Sequence, residues 1–129
     1  MINYANLLGI PFKSGGRDLN GLDCYGVVLQ VYKLCGIDLP DFGSISGEMM
    51  VDNKFKIVSA YWEKIETPEV LSVVAFWSLN PKYVTHIGVV IDNDKFIHIR
   101  EKISVAVERL SHPVWNIRIV GFYRWKNIN

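Results

Sequence analysis

A chain of 129 residues that is half hydrophobic and 21% charged can build one core-bearing domain and is too apolar to remain disordered. Its formal net charge of +1 provides no electrostatic footprint for nucleic acid. The longest apolar stretch, residues 70–77, is broken by Ser72 and is too short to cross a bilayer.

The N-terminal run Met1-Ile2-Asn3-Tyr4-Ala5-Asn6-Leu7-Leu8 lacks the basic region and long apolar stretch of a secretory signal, so work outside the cytoplasm would need another route. Residues 2–8 fit a short amphipathic helix stopped by Gly9 and Pro11. Residues 12–22 read as loop, with Gly15, Gly16 and Gly21 offering positive-φ positions for successive turns. Asp23 is a good N-cap for a helix opening at Cys24, and Val27, Val28, Val31 and Cys35 follow at the spacing of one buried face. Gly36 and Pro40 end that helix. Residues 41–47 are loop, and 48–66 read as a second, less regular helix with Asp52-Asn53 as a break. After Pro68 the composition turns to β-branched and aromatic runs at 70–79, 85–91, 95–100, 104–110 and 117–125. Ser111-His112-Pro113 is a turn leading into one helical turn through Val114-Trp115. Helices first and strands second predict a single α+β domain over 1–129, with the Cys24 helix packed on an antiparallel sheet of about five strands.

Cys24 has two readings. A cysteine on an apolar helix face is commonly packing. A thiol at a helix N-terminus also sits in the positive end of the macrodipole, which favours thiolate and makes a nucleophile. Cys35, near the helix end, reads as packing alone. The two lie about 16 Å apart along a helix, beyond disulfide reach.

A nucleophilic thiol needs a base, and the base needs a polar group to fix its tautomer. His86 and His98 lie on two strands joined around Asp92-Asn93-Asp94. A three-residue loop pairs Ile91 with Lys95 and Gly88 with His98, which puts both histidines on one face as diagonal neighbours. A two-residue loop would separate them. Cys24 as nucleophile, His86 as base and His98 as orienter then fill the three roles. A zinc site from the same three residues is disfavoured because no short-spaced ligand pair is present, and neither metal nor organic cofactor is required. His112, before Pro113, reads as surface.

The residues Leu8-Gly9-Ile10-Pro11-Phe12, Gly15-Gly16, Gly21-Leu22-Asp23-Cys24-Tyr25-Gly26-Val27-Val28, Tyr32 and Gly36-Ile37-Asp38-Leu39-Pro40 come first in the chain. With His86-Ile87-Gly88-Val89-Val90-Ile91 and Lys95-Phe96-Ile97-His98, they resemble the NlpC-type family of papain-like cell-wall cysteine peptidases. The form Asp-Cys-Tyr-Gly-Val-Val is similar to phage tail-associated members. The resemblance implies hydrolysis of amide bonds in peptidoglycan stem peptides, with Cys24, His86 and His98 in the roles above and the Cys24 backbone N–H in the oxyanion hole. It implies peptidoglycan stem peptides, and phage tail proteins, as partners. It places Phe12 where the family commonly has Tyr, and Tyr25 where it has Ser, both at the substrate cleft. Asp23 is either an N-cap or a group that reads the substrate's amino end. Two rival functions stay open: an amidase cutting the sugar–peptide link by the same chemistry, and a non-catalytic tail or binding module that keeps the fold.

Overall fold

The computed structural model describes residues 2–41, 61–77 and 84–126. Expectations for 42–60, including most of the second helix, and for 78–79 lie outside the described residues. Residues 2–8 form only a short 3-10 turn, Ala5–Leu7, that buries Leu7. The expected loop contains a small ribbon of β1 (Arg17–Asp18) and β2 (Gly21–Leu22), antiparallel to each other.

Helix α1 runs Cys24–Leu34, with the Asp23 carboxylate accepting from the Gly26 N–H at 2.7 Å. Val27, Val28 and Val31 are completely buried, as their spacing requires. Cys35 is exposed rather than packed, because α1 ends at Leu34 and Cys35 turns outward as the C-cap before Gly36 at φ +78°.

Strands β3 (Trp62–Ile65), β4 (Val73–Trp77), β5 (Val84–Val90), β6 (Lys95–Arg100), β7 (Ile103–Arg109) and β8 (Ile119–Trp125) form one antiparallel sheet in the order β3-β8-β4-β5-β6-β7. β3 corrects the helix expected through residue 66. Its four residues pair with Phe122–Trp125 of β8, and Trp62 packs edge-on against Trp125 and Tyr32, at 5.1 and 5.8 Å between ring centroids. Pairing with a sheet edge and burial of Trp62 override a weak helical period. Helix α2, Pro113–Asn116, is the predicted single turn, capped by the exposed His112.

The sheet separates two apolar clusters. Ile87, Val89, Ile97, Ile99 and Val105 pack on the α1 side, while Val74, Phe76, Val90, Phe96 and Trp115 fill the other face. The β5–β6 register pairs Val89 with Ile97 and Val90 with Phe96, the register that a three-residue loop dictates.

Candidate active site

Cys24 is the first residue of α1 and is half-buried. Its sulfur lies within hydrogen-bonding reach of the backbone N–H of Ile87, so α1 delivers the thiol to β5 one residue from His86. The β5–β6 ladder is formed only at its turn end among the described residues, and beside the unpaired stretch His86 Nε2 meets His98 Nδ1 at 2.7 Å. Gly88 makes this possible. A Cβ there would stand 2.9 Å from the Ile97 carbonyl oxygen and 3.1 Å from the His98 Cβ. The two rings sit on the sheet face opposite α1, enclosed by Phe76, Phe96 and Trp115, with ring centroids 4.7–6.0 Å apart.

Burial sets the charge state of this group. His86 is pushed down to about 3 by desolvation first, then by the positive charges of His98 and Arg100. His98 is lowered by desolvation and Arg100, against the raising pull of Glu108. Cys24 is pushed up to about 11, first by desolvation and then by the Asp23 carboxylate, which outweigh the donating N–H groups of Ile87, Tyr25 and Cys24. This corrects the thiolate expected from the helix dipole. A half-charge at a helix terminus is a weaker influence than loss of water around a nearly enclosed sulfur. The resting pair is thiol and neutral imidazole. Iodoacetamide at neutral pH should therefore modify exposed Cys35 ahead of Cys24. Asp23→Asn, which keeps an N-cap side chain and removes the charge, should lower the pH at which Cys24 reacts. Peptide mapping after a timed pulse reads both, and Cys24 labelling first at pH 7 would overturn this account.

Asp23 fills its N-cap role and is also held by Arg17, whose Nη1 approaches Oδ1 at 2.5 Å and donates to the Gly16 carbonyl at 2.8 Å. The same guanidinium reaches Asp41 at 2.8 Å. Sequence reading did not single out Arg17. Tyr25 is 2% exposed and donates to the Pro40 carbonyl at 2.6 Å, tying the first turn of α1 to the chain beyond its end. Phe12 is half-buried beside Leu22, with which its backbone forms a parallel bridge. Among the described residues, no group of three or more His, Cys, Asp or Glu side chains is arranged to hold a metal ion, and no helix is long and apolar enough to cross a membrane.

The residue that sequence reading missed is Glu108 on β7. Its Oε2 lies 2.5 Å from His98 Nε2. The only hint in the sequence is a carboxylate within the apolar run Val105-Ala106-Val107-Glu108.

The profile of the NlpC/P60 family matches residues 9–124. The chain is 26% identical over 119 residues to the murein DD-endopeptidase MepS/murein LD-carboxypeptidase of Escherichia coli K12, covering 92% of this chain and 57% of that protein. It is 27% identical over 122 residues to the probable peptidoglycan endopeptidase LytE of Bacillus subtilis, over 92% of this chain and 31% of that one. The chain thus spans about a third to just over half the length of these relatives. An NlpC/P60 family protein from Bacillus cereus superposes with a TM-score of 0.68 at 24% identity, over 92% of this chain and 36% of that one. The NlpC/p60 domain of the peptidoglycan hydrolase SagA superposes at 0.60 with 20% identity, over 94% and 91%. These two structures share the fold with this chain.

Proposed function

Because the chain belongs to the NlpC/P60 family, we propose that it is a cysteine peptidase that hydrolyses amide bonds in peptidoglycan stem peptides. The observation that carries this reading is the 2.7 Å contact between His86 and His98, with the Cys24 sulfur at the capped start of α1 reaching the backbone N–H of Ile87, the residue after His86.

The reaction starts from neutral partners. His86 uses Nε2 on His98, which leaves Nδ1 to take the Cys24 proton as sulfur attacks the amide carbonyl. The Gly26 N–H is committed to the Asp23 cap, whereas the Cys24 backbone N–H lies at the sulfur, where it can hold the oxyanion. The imidazolium gives its proton to the departing amine as the C–N bond breaks. Water then attacks the thioester, with His86 again taking a proton, and releases carboxylate and thiol. Burial disfavours the charged pair at rest, so the pair ionises in the course of the attack rather than before it. Two relatives named as peptidoglycan or murein endopeptidases support the substrate class. Delivery on a phage tail is a separate proposal that rests on the Asp23-Cys24-Tyr25-Gly26-Val27-Val28 form alone.

Mass analysis of digested muropeptides tests the reading. New amino and carboxyl ends within stem peptides are expected. Free lactyl carboxylates would mean an amidase, and no release of either kind would favour the binding module.

A further inference from the structure

We propose that Glu108 is a positioning residue that fixes the direction of every proton in the His86–His98 pair, and that this leaves His86 Nδ1 as the bare nitrogen. The proposal rests on the hydrolase reading for its consequence in catalysis, but not for the proton arrangement itself.

Two imidazoles joined through one nitrogen each can share a proton in either direction, and their 2.7 Å separation alone does not choose between them. Glu108 chooses. Its Oε2 is 2.5 Å from the far nitrogen of His98, whose side chain is 3% exposed. An ionised carboxylate only accepts, so His98 Nε2 must carry hydrogen. With one proton on the ring, His98 Nδ1 is then a lone pair, and it can only accept from His86 Nε2–H. That leaves His86 Nδ1 unprotonated. The opposite arrangement sets the lone pair of His98 Nε2 against a carboxylate oxygen in a buried contact, and it places a hydrogen on His86 Nδ1, which could then take none from a thiol.

The scaffold is specific for this contact. Glu108 is the Cα partner of Phe96, so it is the diagonal neighbour of His98 on the same sheet face, and the residue directly opposite His98 is Ala106. A methyl group at that position leaves the Glu108 side chain room to reach across. The His98 ring is held edge-on by Trp115 at 4.7 Å and tilted against Phe96 at 4.7 Å, which prevents it from turning over to present other atoms. Among the described residues, the charged and titratable groups facing the pair are Cys24 from the start of α1, Arg100 from β6 and Glu108 from β7, while β4 and α2 contribute Phe76 and Trp115. Burial first, and Arg100 with it, lower His98 against the raising pull of Glu108, a direction that favours the singly protonated ring.

Long-range 1H–15N correlation spectra of the imidazoles at pH 7 test the arrangement without any turnover. Both His86 and His98 are expected as Nε2–H tautomers in the wild type. In Glu108→Ala the two should show mixed tautomers, with a hydrogen appearing on His86 Nδ1. Glu108 is one-third exposed on a strand, so this variant should fold, and Glu108→Gln, with an acceptor and donors on one side chain, should also lose the single tautomer. A wild-type His98 that is doubly protonated or protonated on Nδ1, or tautomers unchanged in Glu108→Ala, would overturn the proposal. On muropeptides, Glu108→Ala should lose at least about 10-fold in kcat with KM nearly unchanged, a part of the roughly 10²–10⁴ that positioned proton transfer supplies. Unchanged kcat would remove Glu108 from the reaction. A wild type that shows these tautomers but cleaves nothing would instead remove the hydrolase reading and leave the proton arrangement standing.

Discussion

Cys24→Ala is expected to reduce muropeptide cleavage by about 10⁴-fold or more while the protein stays folded. The side chain is at the first position of α1, where alanine is well tolerated and the Asp23 cap does not depend on it. What is lost is the only atom proposed to bond the substrate. His86→Ala should fall nearly as far, because a thiol held protonated by burial attacks only if a neighbour removes its proton. The double variant Cys24→Ala/His86→Ala should be no worse than Cys24→Ala, since the two groups perform one step together. Cys35→Ala, at an exposed C-cap, should be close to wild type. Initial rates by chromatography of released peptides, with circular dichroism as a check on folding, read all four. Wild-type rates in Cys24→Ala would end the nucleophile assignment.

Gly26→Ala is expected to lower stability by about 1–3 kcal/mol and to lose activity as a result. Helix propensity alone predicts the opposite sign, since alanine in a helix interior is better than glycine by about 1 kcal/mol. Here a Cβ would sit 2.3 Å from the Gly16 carbonyl oxygen and 3.1 Å from Leu22 Cδ2. The Gly16 carbonyl cannot yield cheaply, because it accepts from Arg17 Nη1 at 2.8 Å and from the Asp23 N–H at 3.3 Å. The methyl group must therefore push the whole loop away from the start of α1, taking the Asp23 cap and the seat of Cys24 with it. Urea unfolding measures the change. A midpoint equal to or above that of the wild type would show that the loop moves freely.

The same loop shows how sequence reasoning can identify a residue and misjudge its purpose. Glycines at 15, 16 and 21 were expected to supply positive φ. Only Gly15 among them does, at +71°. Gly16 and Gly21 are required because backbone and Lys13 atoms come within 2.3–2.5 Å of where a Cβ would be. Chain conformation and close approach both select glycine, and a single sequence cannot tell one from the other. The charge state of Cys24 was misjudged for a related reason. Helix position is visible in the sequence, whereas the loss of water around the sulfur depends on what the rest of the chain packs over it.

Register separates what was legible from what was not. The hairpin carrying His86 and His98 closes through three polar residues and its turn end pairs in the register that loop length sets, so loop length and the two-residue period of a strand suffice to put both rings on one face. Helix α1, its cap and its buried valines followed in the same way from local rules that act within a few residues. Glu108 did not. The next hairpin starts by pairing Arg100 with Ile103, a register that continued unchanged would set Glu108 against Lys95, on the sheet face away from His98. A bulge between Arg100 and His98 inserts one extra residue on β7 and moves Glu108 opposite Phe96, on the histidine face. A bulge forms because of how two strands twist and pack together, and one residue of slip reverses every side chain beyond it. Rules local to the sequence therefore place Cys24 at the mouth of α1 and His86 and His98 on one face, while tertiary packing selects the carboxylate that stands behind them.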